Sequence, residues 1–252
     1  MKTQQVTLNR GIYRWLLALI FIIGAGAANA ATVQIANCNP NNFLANLWQD
    51  LLGRAITPAE KVTLLNFINR GGSRYQVALI LMNSVEYRTR LTQGLYQQFL
   101  ERDATESEVS AVLTALQQGA TTDQIIVLIL GSNEYYQNRG HGTINGFLEQ
   151  IYNDLLERPI DDSARAAFTS LLSNGFSRQQ IIQTLLSSSE YRAIQVKGFY
   201  RIYLGRDAVD ADISFFVNLW QQGATREQII ALIVGSQEYC ELSRRHPHGH
   251  RQ

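Results

Sequence analysis

Residues 203–239 read YLGRDAVDADISFFVNLWQQGATREQIIALIVGSQEY. Arg206 follows a short apolar run, and apolar residues then recur at helical spacing through Phe216, Leu219 and Trp220. The i, i+3, i+4 rhythm marks one buried helix face. Gly223 is placed to end that helix in a left-handed conformation. Thr225, followed three residues later by Gln228, forms a capping box: the hydroxyl accepts the N3 amide while the glutamine side chain returns to the cap amide. Ile229 and Ile230 favour a strand on propensity alone, yet no alternation accompanies them, so the cap predicts a third helix. The stretch closes on S-Q-E-Y at Tyr239.

The same pattern occurs four times. Arg54, Arg102, Arg158 and Arg206 are spaced by 48, 56 and 48 residues, and 33 residues after each stands Tyr87, Tyr135, Tyr191 or Tyr239 in the words SVEY, SNEY, SSEY and SQEY. Gly71, Gly119 and Gly175 match Gly223. The boxes of Ser73 with Gln76, Thr121 with Gln124, and Ser177 with Gln180 match that of Thr225 with Gln228. Ahead of the arginines come Trp48, Tyr96, Tyr152 and Tyr200. Behind them, Leu64 and Phe67, Val112 and Ala115, Phe168 and Leu171, and Phe216 and Leu219 occupy corresponding places. A period of this length signals a repeat architecture. The expected fold is all-α: four repeated three-helix units, with helices of about 8 to 13 residues and no sheet.

The units alternate. QQGAT recurs at Gln117 and Gln221, so the larger repeat is 104 residues long. The extra eight residues between the second and third arginines fall near residues 138–143. A unit of 48 residues has too small a core to stand alone, and pairing units supplies the missing burial. The expected organisation is two tandem modules. The first covers 31–138, with units at about 42–88 and 90–136. A linker at 139–144 separates it from the second, 145–242, with units at about 145–192 and 194–240. A tail follows at 243–252.

The first thirty residues read differently. Lys2, Arg10 and Arg14 precede the apolar run 15–24, and small residues lead to Ala28-Asn29-Ala30. That order is the order of a secretory signal peptide, with cleavage after Ala30. A retained anchor would need roughly 20 apolar residues; the run to Ala28 has 14. Ile35-Ala36-Asn37-Cys38 resembles a lipid-attachment box only superficially, because Asn37 is too large for the position before the cysteine. Cleavage leaves 222 residues with a formal charge of −2, and no second stretch is long enough to span a membrane. The whole chain carries 22 basic and 21 acidic residues, a balance that provides no field for nucleic acid.

Glu86, Glu134, Glu190 and Glu238 stand in register with the four arginines, and the expected role is a structural ion pair within each unit. The four tyrosines are expected to plug unit junctions, and the serines before them to cap a turn. Cys38 and Cys240 flank the array; in an exported chain an even pair suggests a disulfide, worth about 5 kcal/mol at this loop length. An intermolecular bond and two free thiols are the alternatives. His246, His248 and His250 alternate at the C-terminus as weak candidates for zinc, nickel or copper, with a plain flexible tail the favoured reading. No GxSxG, HExxH, P-loop or dinucleotide fingerprint occurs, and no cofactor is implied. Asp161 and Asp162 read as cap and first-turn charges.

The unit LLGR…G-x-S/T-x-x-Q-I/V…S-x-E-Y resembles a bacterial domain of unknown function, number 4214, akin to phycobilisome-linker-like helical domains. The likeness runs from about Asn42 to Cys240 and is most specific at 51–54, at 203–210 and in the S-x-E-Y words. It implies an all-helical protein, exported or surface-associated, and carries over no catalytic residue. Glu101 and Glu157 depart from the glycine expected before the arginine, and Pro58 and Glu106 from the expected aspartate, which Asp162 and Asp210 match. The function expected is a non-catalytic interaction or scaffold module for an envelope or extracellular protein or glycan, with oligomerisation left open. The alternative is an envelope enzyme acting on a carbohydrate or peptide through paired carboxylates.

Overall fold

Small polar side chains open almost every helix. In the computed structural model, which describes residues 38–245, Asn39 accepts the amide of Asn41 at the start of α1 (Pro40–Leu52), with Pro40 in the first turn where its missing N–H is not needed. Then follow α2 (Pro58–Asn69), α3 (Arg74–Met82), α4 (Val85–Leu100), α5 (Glu106–Gln117), α6 (Thr122–Leu130), α7 (Asn133–Asn138) and α8 (Ile144–Leu156). The rest are α9 (Asp162–Ser173), α10 (Arg178–Ser187), α11 (Ser189–Phe199) running into a π-turn (Tyr200–Leu204), α12 (Asp210–Gln221), α13 (Arg226–Val234) and α14 (Gln237–Arg245). The described residues hold fourteen α-helices and no strand. The leader at 1–30, residues 31–37 and the histidines of the tail lie outside the described residues.

The isoleucine-rich segments are helical, and α3, α6, α10 and α13 each begin at a complete capping box. The cap itself is Ser73, Thr121, Ser177 or Thr225. The glutamines are the third residues of their helices and serve the cap from inside the first turn. Gln76, Gln124 and Gln228 accept the amides of Ser73, Thr121 and Thr225 at 2.8 Å, and Gln180 accepts that of Ser177 at 2.7 Å. In return the Gln124 and Gln180 amides donate to the Thr121 and Ser177 hydroxyls at 3.3 and 3.2 Å. Gly71, Gly119, Gly175 and Gly223 have φ between 92° and 100°, a region open to glycine at little cost. Two further boxes, Thr57/Glu60 and Thr105/Glu108, open α2 and α5.

The count of three helices per unit needs correction. Ser84, Ser132, Ser188 and Ser236 each accept the amide of the tyrosine three residues on, so every S-x-E-Y word starts a further helix. Nothing stops α4 between Val85 and Leu100, and the word therefore shares one helix with the apolar pairs that precede Arg102. The α11 helix does the same through its π-turn. Only α7 ends early, at a turn where His141 and Gly142 take positive φ and Thr143 caps α8. At the C-terminus the helix persists to Arg245, so the expected tail is helical for its first three residues.

The apolar side chains do not sort into two consecutive modules. One cluster joins residues 43–87 with 196–240; the other joins 95–135 with 147–191. The first segment shares its core with the fourth, and the second with the third. The physical reason lies in the two continuous helices. At 1.5 Å per residue α4 is about 24 Å long, and it delivers Tyr87 to one core and Leu95 and Phe99 to the other. A helix whose two ends enter different cores keeps the first and second segments from closing on each other, so each finds another partner. The described residues, 38–245, form a single compact unit.

Contacts 104 residues apart match across this arrangement. Helix α13 packs on α3 as α6 packs on α10. Arg74 Nε donates to the Gly235 carbonyl at 3.0 Å, and Arg178 Nε to the Gly131 carbonyl at 3.3 Å. Tyr239 donates to Asp50 and Tyr135 to Asp154, both at 2.7 Å. The Phe43–Tyr239 and Tyr135–Phe147 rings meet edge-on with centroids 6.1 and 6.2 Å apart.

Candidate functional site

Each repeated arginine sits in the loop after an apolar helix, where the chain has just turned through a left-handed residue: Gly53, Glu101, Glu157 or Gly205. The turn aims the guanidinium back at two later helix starts. Arg102 is the fullest case. Its Nε and Nη2 donate to Glu134 at 2.5 and 2.7 Å, Nη2 and Nη1 donate to Glu108 at 2.7 and 2.9 Å, and Nη1 reaches the Asp103 carbonyl at 2.9 Å. Arg54 repeats this with Glu86, Glu60 and the Ala55 carbonyl. Arg158 holds Glu190 at 2.6 and 3.1 Å, and Asp161 lies 3.6 Å away. Arg206 holds Glu238 at 2.5 and 2.8 Å and Asp212 at 3.2 Å. Three of the arginines also lie over a ring: Arg102 on Tyr96, Arg158 on Tyr152 and Arg206 on Tyr200.

The second carboxylate escaped the sequence reading. Glu60 and Glu108 are the N3 residues of the boxes on Thr57 and Thr105, so one side chain closes a helix cap and receives an arginine. The signal, threonine followed three residues later by glutamate, stands openly in the sequence. In the third segment Asp161 caps α9 instead, and in the fourth Val209 offers no side-chain cap. The boxes closed by Gln76, Gln124, Gln180 and Gln228 are neutral, and they serve helix starts alone.

The electrostatics run one way. Hydrogen bonds from Arg54 and Arg102 hold the Glu60 and Glu108 carboxyls down to about 2, and the same arginines lower Glu86 and Glu134; Arg158 does so for Glu190. The guanidinium groups shift upward in return. These groups stay ionised and paired throughout the neutral range. Asp154 is the exception among the carboxyls: burial raises it, against the pull of Tyr135, Gln150 and Arg139.

The tyrosines of the words are buried, and desolvation raises all four. Tyr239 and Tyr135 reach across to the first and third segments, as described. Tyr191 accepts from Arg226 Nη2 at 2.6 Å, and Tyr87 packs in the core that the first and fourth segments share. Arg226 was not foreseen as a site. It donates to Asp123 at 3.0 Å, lies against Tyr191, Phe199 and Trp220, and stands beside the bond from Thr122 to Glu227. Cys38 and Cys240 form a disulfide with Cα atoms 5.6 Å apart. Among the described residues no three His, Cys, Asp or Glu side chains converge as a metal site, and no helix is long and apolar enough to cross a membrane. His246, His248 and His250 fall outside the described residues.

A family model described as a domain of unknown function (DUF4214) matches residues 129–195. That stretch runs from the last turn of α6 into α11 and contains the whole cluster of Arg158, Asp161 and Glu190. No curated protein and no solved structure matches the chain.

Proposed function

We propose that the chain is an exported, non-catalytic helical repeat protein that acts as an interaction or scaffold module in the cell envelope or outside the cell. In this reading it is built from four tandem copies of one helical unit, interlocked as two halves of 104 residues. The observation that carries it is how the four arginine clusters use their polar atoms. Each guanidinium is bound to carboxylates from different helix starts, and in two clusters all five N–H groups are engaged within the protein. Such clusters hold helices together. An acid–base pair needs one carboxyl held protonated near neutrality, whereas Arg54 and Arg102 hold the Glu60 and Glu108 carboxyls ionised. Exposed apolar side chains such as Ile80, Leu128 and Val85 supply contact surface for a protein or glycan partner.

Export rests on the leader, and both parts are tested together. Cells expressing the full chain are fractionated, the processed N-terminus is sequenced, and partners are captured by cross-linking in the envelope fraction. The expected result is a protein beginning at Ala31, outside the inner membrane and cross-linked to an envelope component. Full-length protein retained in the cytoplasm would contradict export. Hydrolysis of an envelope glycan or peptide by the purified protein would contradict the non-catalytic role.

A further inference from the structure

The second segment lacks an aromatic ring that two of its counterparts carry. Phe168 stands edge-on to Tyr152 with centroids 6.1 Å apart, and Phe216 to Tyr200 at 6.0 Å. In the second segment the tyrosine is kept as Tyr96, with Arg102 over its ring at 5.1 Å. The residue corresponding to Phe168 and Phe216, however, is Val112, and the one corresponding to Leu171 and Leu219 is Ala115. The first segment puts the larger indole of Trp48 at the tyrosine position, with Leu64 and Phe67 at the other two.

Where these side chains are short, a cavity of about 270 Å³ opens between α4, α5 and α6, walled by Tyr96, Val112, Ala115, Ile125 and Ile129. Leu128, 55% exposed, stands at its mouth. The wall is apolar. Glu108 and Glu134 at the edge are already bound by Arg102, so neither requires a cationic guest. An enclosed apolar cavity of roughly 150 Å³ stays dry and binds benzene; this one is larger and half open, and a ring seated in it can meet Tyr96 edge-on, an arrangement aromatic pairs favour.

We propose that this cavity binds a small molecule bearing one neutral aromatic ring, seated edge-on to Tyr96 where the third and fourth segments hold a phenylalanine. The cavity is confined to one segment, which suits a single ring with a short substituent better than an extended peptide. The inference is independent of the export and scaffold reading.

The probe is benzyl alcohol, titrated into the protein while the NMR signals of Tyr96, Val112 and Leu128 are followed. The expected result is a saturable shift of all three at one ligand per chain. Val112→Phe, which restores the sister ring, is expected to weaken binding at least tenfold and to raise Tm. Ala115→Leu, the sister residue at its position, is expected to weaken binding likewise and serves where the first variant does not fold. Three results would overturn the proposal: no saturable shift in the unmodified protein, undiminished binding in the filled variants, or a phenylalanine-containing hexapeptide binding tenfold more tightly than benzyl alcohol.

Discussion

Arg102 engages all five of its N–H groups with two carboxylates and a carbonyl, and it is one third exposed. Exposed pairs are worth at most about 1 kcal/mol; breaking a buried pair by removing one partner costs about 3–5 kcal/mol. At this exposure Arg102→Ala is expected to lower stability by about 1–3 kcal/mol, because Glu108 and Glu134 lose their shared partner while remaining close together. A urea midpoint that falls with unchanged slope checks this, and an unmoved midpoint contradicts it. The same clusters set the acid limb. Glu60 and Glu108 are held at about 2 in the folded state against an ordinary 4.5, so their contribution is fully present above about 4.5 and is lost as pH falls toward 2. Asp154, raised by burial, acts in the opposite sense and softens the loss. Tm is expected to drop between pH 4.5 and 2, and Glu108→Gln to flatten that drop; equal acid limbs in the two proteins would contradict the assignment.

At the scale of helices, what the residues disclosed depended on whether the physics was local. The capping boxes that pair Ser73 with Gln76, Thr121 with Gln124, Ser177 with Gln180 and Thr225 with Gln228 act over three residues, and the helices start there. The pairing of Arg102 with Glu134 could be read because the 32-residue separation recurs four times along the chain. Helix fusion in α4 was not legible, since the word SVEY looks the same whether its helix stops after one turn or continues. Turn chemistry at the arginine loop gives a direct test. Glu157 ends α8 at φ 54°, a conformation that costs a side-chain-bearing residue about 1–2 kcal/mol. Glu157→Gly is expected to raise stability by about 1 kcal/mol after the added freedom of the unfolded chain is discounted. A lower Tm in that variant would contradict it. The crossing of α13 over α3 offers the opposite case: a Cβ on Gly235 would lie 2.9 Å from the Tyr75 amide nitrogen, which the backbone cannot readily move aside. Gly235→Ala is expected to destabilise by about 1–3 kcal/mol, and a neutral result in thermal melting would remove close backbone approach from the explanation.

At the scale of the whole molecule, choosing partners among segments is a long-range decision that periodicity does not encode. A faint signal for it exists. Gly131 and Gly235 end the third helices of the second and fourth segments, where the first and third carry Asn83 and Ser187. Those glycine carbonyls receive Arg178 and Arg74 from the facing segments. The even segments thus present a bare backbone against which the odd ones pack, second to third and fourth to first. The same closure brings α14 onto α1 and puts Cys38 beside Cys240. The measurement that bears most directly on this closure is a non-reducing peptide map of the monomer purified from an oxidising compartment. A single linked pair of peptides, one containing Cys38 and the other Cys240, is the expected result. Two free thiols, or a bond joining two chains, would contradict a molecule whose first and last segments share one core.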